Sequence, residues 1–259
     1  MTTAEKDAPD VKTKTPANEL LEIGKTVAYA LLIALVIRVF LFQPFTIPSA
    51  SMEPTLLQGD YIIVSKFAYG YSRHSMPLSP PLFGGRILGR EPHRGDVIVF
   101  KLPRDGHTDY IKRLIGLPGD QIQLKGGVVY LNGQAVPRQE LSPATEMSPF
   151  GFSHPVQRFK ETLPGGKSYI TYDYGPDGDV DNTGVYVVPS GHYFMMGDNR
   201  DNSQDSRYPE AIGVGYVPFE NLVGKADIIL LSWNDKASVF KPWTWVLNAR
   251  PSRFFRILK

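Results

Sequence analysis

At 259 residues the chain has room for one large domain or two small ones. Its 42% hydrophobic and 21% charged residues allow a buried core, and a formal net charge of +2 is too small to point to nucleic acid. Cysteine is absent, which excludes disulfides, thiolate metal sites and a cysteine nucleophile.

Residues 1–19 are polar and read as a disordered tail. The run VAYALLIALVIRVFLF, Val27 to Phe42, is apolar except for Arg38. With its flanks it predicts a membrane anchor helix over 20–43, roughly 18–20 apolar residues spanning about 30 Å. Pro44 is its stop, and Arg38 sits near the outer end, where its stem can snorkel toward headgroups. Lys6, Lys12, Lys14 and Lys25 precede the run, and no Lys or Arg occurs from Gln43 to Ser65. This asymmetry predicts a single pass with a cytoplasmic N-terminus and everything after Phe42 outside. A cleaved signal peptide is the alternative, since Ser49-Ala50-Ser51 offers small residues of the kind found before a cut. The acid-containing n-region of about 25 residues and the long apolar run favour an uncleaved anchor.

From Asp60 the pattern changes to short strands: DYIIVSKF, GDVIVFKLP, DYIKRLIGL and DQIQLKGGVVYLNGQAV. Twenty-two Pro and 24 Gly, with 14 Phe and 13 Tyr, suit strands joined by turns. Asn132-Gly133 between alternating apolar residues is a hairpin signal. SMPLSPPLFGG, residues 75–85, is a proline-rich loop. Residues 44–136 and 191–259, which include HYFMM and KADIILLSW, predict one β domain. Residues 137–190 are either an insertion or a small second β domain. The tail, with Trp243, Trp245, Phe254 and Phe255 among Arg250, Arg253, Arg256 and Lys259, suits either a membrane surface or ordinary packing.

Without cysteine, a nucleophile has to be Ser, Thr, Lys or a carboxylate. The five histidines, His74, His93, His107, His154 and His192, lie in polar or turn-rich stretches that suit surface residues. The other base able to activate a serine is a neutral lysine, which has to be desolvated because a solvated amine stays protonated at pH 7. In DYIKRLIGLPGD, alternation puts Tyr110, Lys112 and Leu114 on one face and Ile111, Arg113 and Ile115 on the other. One basic side chain of the pair thus points inward. Lys112 meets the requirement on this pattern, although strands also carry lysines with a buried stem and a solvated amine. GDNRDNSQDSR, residues 197–207, interleaves Asp198, Asp201 and Asp205 with Arg200 and Arg207 and reads as a salt-bridged loop, not a cation site. DGDVDNTG, residues 177–184, lacks the glycine and the glutamate of a calcium loop and reads as a turn. No metal is expected.

PSASM, RGDVIVFKLP, DYIKRLIGLPGD and GDNRDNSQDSR, in this order behind an N-terminal anchor, closely resemble bacterial type I signal peptidases, from about Gln43 to Lys225. The resemblance implies a mostly antiparallel β fold and a cofactor-free Ser–Lys endopeptidase that removes signal peptides from exported preproteins. Ser51 resembles the nucleophile and Lys112 the general base. Ser49 and the Ser51 N–H would form the oxyanion hole, and Ser203 would aim the Lys112 amine. Gly197 would let the chain pass close to the site, while Asp198, Asp205, Arg207 and Arg113 resemble the supporting ion pairs. Phe45, Ile47, Pro48, Met52, Leu56, Ile62, Val99, Tyr110 and Ile111 match positions lining shallow pockets that accept small residues, typically alanines one and three before the cut.

The family's best-described members carry two membrane helices, whereas one is found here. The implied setting is the bacterial cytoplasmic membrane, with the catalytic domain on its outer side and the enzyme a monomer. Its partners would be signal peptides and the bilayer, not nucleic acid. Self-cleaving Ser–Lys repressors would need a DNA-binding helix-turn-helix, and the chain has none. A membrane-anchored binding module would leave Ser51 and Lys112 without a role, and a secreted hydrolase with a removed leader is a third reading, decided by whether the mature protein keeps its cytoplasmic end.

Overall fold

The computed structural model describes residues 16–76, 79–147, 153–175, 177–234, 237 and 241–258. A helix, α1 (Pro16–Val36), runs into a π-helical turn at Ile37–Leu41. The strands that follow are β1 (Phe42–Thr46), β2 (Asp60–Ser65), β3 (Val97–Lys101) and β4 (Asp109–Gly116). Next come β5 (Gln121–Lys125), β6 (Val128–Leu131), β7 (Gln134–Ala135), β8 (Arg138–Met147), β9 (Ser153–Thr162) and β10 (Ser168–Asp173). The chain ends through β11 (Tyr186–Val187), β12 (His192–Met196), β13 (Val217–Pro218), β14 (Leu222–Ser232) and β15 (Arg256–Ile257). The fold is mostly antiparallel β.

The main sheet has the order β1-β2-β14-β3-β4-β12-β13, with β15 added on β14. Two smaller sheets, β10-β9-β8 and β11-β5-β6-β7, accompany it among the described residues. Asn132 and Gly133 both take positive φ, as the tight β6–β7 hairpin requires. The alternation in β2 buries Asp60, Ile62 and Val64 and exposes Tyr61, so Ile62 and Val64 enter a core cluster with Met52, Leu56 and Ile229.

Three boundaries differ from the sequence reading. The helix begins at Pro16, inside the expected 1–19 tail, since proline is well suited to the first helical turn; residues 1–15 lie outside the described residues. It gives way before residue 43, because Phe42 and Gln43 pair with Ser65 and Val64 and Pro44 cannot extend a helix. Within 137–190, β8, β9 and β10 pair with one another, but β11 pairs with β5, so one small sheet crosses the expected boundary at 136.

The side chains of residues 18–36 are exposed along the whole helix, whose length and apolar composition over Asn18–Leu41 are sufficient to cross a bilayer. The tail divides between its two readings. Leu258 enters the core and β15 pairs with β14, while Trp243, Val246, Leu247 and Phe255 face outward. Arg253 bonds Asp60 through two nitrogens and donates to the Thr55 carbonyl at 3.0 Å. Asp60 is fully buried, so removing Arg253 strands a charge in the core. Arg253→Met should cost about 3–5 kcal/mol in chemical denaturation of the solubilised full chain. A loss below about 1 kcal/mol would mean that the pair is screened like a surface one.

Candidate active site

Ser51 opens a compact turn between β1 and β2. The turn is closed by Glu53 N–H to the Ala50 carbonyl at 3.0 Å and Leu56 N–H to the Met52 carbonyl at 2.9 Å. Met52 and Leu56 are fully buried and pin this turn to the core. At its other side the Ser51 carbonyl accepts the Asn199 N–H at 3.1 Å. The nucleophile candidate is thus fixed from both ends.

Lys112 lies in mid-β4, paired with Ile98 on β3 and followed by Arg113 and Leu114, which pair with β12. Its Nζ is 2.6 Å from Ser51 Oγ and donates to the Ile111 carbonyl at 3.0 Å. Burial pushes the amine down to about 8; the Asp205 and Asp198 carboxylates pull it back up, and the Arg207 guanidinium adds to the depression. Alternation along β4 correctly separates Lys112 from Arg113, but both are buried, not one of the two. The β8–β10 sheet covers one face of this strand and the Ser51 turn the other, so Arg113 is as enclosed as Lys112, and it lies over the Tyr169 ring at 4.1 Å.

Two ion pairs frame the amine. Arg113 holds Asp198 through Nε at 2.7 Å and Nη2 at 2.6 Å, with Thr55 donating to the same carboxylate at 2.5 Å. Arg207 holds Asp205 through Nε and Nη2, each at 2.9 Å. Burial pushes the Asp205 carboxyl up, but the Arg207 guanidinium and bonds from Gly197 N–H and Ser203 hold it below its ordinary range. Arg200 makes a third, bidentate pair with Glu161 on β9.

Ser203 does not bond Lys112 among the described residues: its hydroxyl donates to Asp205 at 2.8 Å. The carboxylate two residues on is the stronger acceptor, and the Ile111 carbonyl takes the place beside the amine. Ser49 is exposed, with its hydroxyl 3.4 Å from Ser51 Oγ. The Ser51 N–H has no acceptor among the described residues.

A groove of about 610 Å³ opens over these groups, with Pro48, Ser49, Tyr110, Ile111 and Ser203 in its walls. Phe45 packs, half-buried, against the neighbouring core cluster. Ile47, Met52, Leu56, Ile62 and Val99 do not line the groove: all five are core residues at 3% exposure or less. Identity in a motif cannot distinguish a pocket wall from the core layer one residue behind it. No histidine lines the groove.

Residues 20–233 match the family model described as signal peptidase, peptidase S26. The chain belongs to this family. A signal peptidase I of Rickettsia typhi is 43% identical over 247 residues, covering 89% of this chain and 90% of that protein. One from Rickettsia canadensis is 42% identical over 266 residues, covering 96% and 97%. The crystal structure of a signal peptidase I from Enterococcus faecalis is 26% identical, covers 52% of this chain and 97% of that one, and superposes with a TM-score of 0.30. Membership of the signal peptidase family makes the chain a serine endopeptidase that removes signal peptides.

For a signal peptidase the sequence reading missed the groove's floor and its outer supports. Asp109, Asp201, Asn202 and Tyr208 also border the groove. Glu146 on β8 accepts from Asn199 at 3.0 Å and Asn202 at 3.2 Å, so the small sheet grips the 197–207 loop. These partners lie more than 50 residues away in the chain, and no local pattern announces them.

Gly197 is where the loop presses on the Ser51 turn. A Cβ there would sit 2.3 Å from Ser203 Oγ and 2.5 Å from the Ser51 carbonyl oxygen. Gly197→Ala should displace Ser51 and lower turnover of a signal-peptide substrate by about a hundredfold with the fold retained. Unchanged turnover would mean that the loop can retreat without moving the serine.

Proposed function

We propose that Ser51 and neutral Lys112 form the catalytic dyad of this endopeptidase. The observation that carries the proposal is the 2.6 Å separation of Lys112 Nζ from Ser51 Oγ, with the amine buried and its pKa depressed to about 8. Ser51 Oγ attacks the scissile carbonyl while its proton passes to Lys112 Nζ. The C–N bond breaks as Lys112 returns that proton to the leaving amine. Water, deprotonated by the same amine, then hydrolyses the Ser51 ester. The developing oxyanion takes the free Ser51 N–H and the Ser49 hydroxyl. The Ile111 carbonyl aims the lysine, and Ser203 acts through Asp205.

The substrate would lie along the groove with small side chains, alanine foremost, against Pro48, Tyr110 and Ile111. Larger side chains would clash there, because the core layer of Ile47, Met52, Leu56, Ile62 and Val99 behind the groove is closed. The anchor reading rests on the exposed apolar helix and on the lysines that precede it. It puts a monomeric enzyme on the outer face of the bacterial cytoplasmic membrane. Ser51 comes nine residues after Phe42, close to where a signal peptide's own helix ends.

Ser51→Ala and Lys112→Arg should each lower cleavage of an Ala-X-Ala preprotein by about four orders of magnitude, since neither can supply the nucleophile–base pair. Lys112→Arg keeping a tenth of the activity would exclude a lysine base. Below a pKa of about 8 the neutral amine falls about tenfold per pH unit, and kcat/KM should follow. A rate flat from pH 8 to pH 5 would contradict this role.

A further inference from the structure

A second cavity, of about 570 Å³, lies where the helix meets the β domain. Arg38, Lys66, Arg73 and Lys101 line it against two carboxylates, Asp105 and Asp109. The carboxylates are already engaged. Asp109 pairs with Lys101 at 2.8 Å, and Asp105 accepts from Thr108 Oγ1 at 2.5 Å and from two backbone N–H groups. Arg73 lies 3.7 Å from Glu220. Arg38 and Lys66 have no carboxylate partner among the described residues.

These two cations differ in setting. Lys66 is 1% exposed, and its amine, with three hydrogens to donate, has one acceptor among the described residues, the Ser75 carbonyl at 2.6 Å. Arg38 is exposed and has no hydrogen-bond acceptor among them. Burial and the positive field of Arg38 together lower the Lys66 amine to about 8, with the Asp109 carboxylate only partly opposing them. Two like charges facing one cavity, one of them desolvated, are unfavourable unless an anion joins them.

The cavity's depth indicates where the anion comes from. Arg38 belongs to the last turn of the apolar span, Ile37–Leu41. Phe40 packs edge-on against Tyr71, and Phe42 against Phe67, and all three phenylalanines are exposed. Tyr71 also donates to the Phe40 carbonyl at 2.9 Å, which ties the helix end to the domain. Half-exposed aromatic rings at the end of a spanning helix are the usual occupants of the headgroup layer. A lipid in that layer presents its phosphate at the level of Arg38 while its chains lie along the helix.

We propose that this cavity binds the phosphate of an anionic phospholipid, with Arg38 and Lys66 as its donors. The inference rests on the reading of the helix as a membrane anchor. It goes beyond the peptidase reaction, since neither cation belongs to the groove. Asp109 borders both cavities, so the bound headgroup sits directly behind one wall of the groove.

The test is native mass spectrometry of the solubilised full chain titrated with phosphatidylglycerol or phosphatidylcholine. Alkaline extraction of the source membranes reads the anchor separately. The chain should resist extraction and hold one phosphatidylglycerol about tenfold more tightly than phosphatidylcholine. Arg38→Gln, at an exposed position, should remove most of that preference, and Lys66→Met should do the same if it folds. Lys125→Gln, outside the cavity, should leave the preference intact. Equal binding of the two lipids, or a preference that survives Arg38→Gln, would overturn the inference. Glycerol 3-phosphate competing as well as the lipid would make this a soluble-anion site and overturn the lipid assignment. Extraction at high pH would instead defeat the anchor reading on which the inference rests.

Discussion

The contact between the buried Lys112 amine and the Ser51 hydroxyl, the proposed base and nucleophile, is the interaction on which most of this structure converges. Desolvation alone would depress Lys112, but the loop that supports Ser51 brings two carboxylates close to it. Left free, Asp198 and Asp205 would hold a proton on the lysine. Each is instead clamped by its own arginine, Arg113 or Arg207; the Arg207 guanidinium offsets part of the carboxylates' pull on the amine, and burial outweighs the rest. The ion pairs are therefore part of the electrostatics around Lys112 as well as of the stability of the loop. Because these charges are buried, the loss of either arginine would uncover a carboxylate and unsettle the fold at the same moment.

The same constraint explains why two sheets converge on one loop. Residues 197–207 have no regular structure of their own, yet they fix Ser51, Asp198 and Asp205. The main sheet holds the loop through Arg113, and the β8–β10 sheet holds it through Glu161, Glu146 and the backbone of Tyr172. Gly197 is the point of closest approach, where only a hydrogen fits between the loop and the serine's carbonyl. A loop gripped from two sides can carry precise geometry without being part of a strand.

Much of this was legible in the sequence because the relevant signals are local. Alternation in DYIIVSKF and DYIKRLIGL marked β2 and β4, and Asn132-Gly133 marked its hairpin. The motif order brought Ser51 and Lys112 into one hypothesis although 61 residues separate them. What could not be read depends on packing across distance. Alternation foresaw one inward basic side chain on β4, whereas the β8–β10 sheet on one face and the Ser51 turn on the other buried two. The family's pocket positions included five residues that packing assigned to the core. Ser203 sits beside the site as expected, but competition from Asp205 decided where its hydroxyl points. The helix end was misjudged because hydropathy continues through Phe42, while strand pairing with Ser65 claims that residue.

The central claim is that Lys112 gives up its proton near pH 8, well below a solvated lysine, and it can be measured without turnover. Lysines carrying a 13C label at Cε, in the solubilised full chain, can be titrated by NMR, with Lys112→Met assigning the resonance. The assignment matters because Lys66 is depressed to a similar value. The structure predicts a Lys112 midpoint near 8. A midpoint above about 10, the range of a solvated lysine, would mean that the amine is a cation in the resting enzyme and would contradict its assignment as the base.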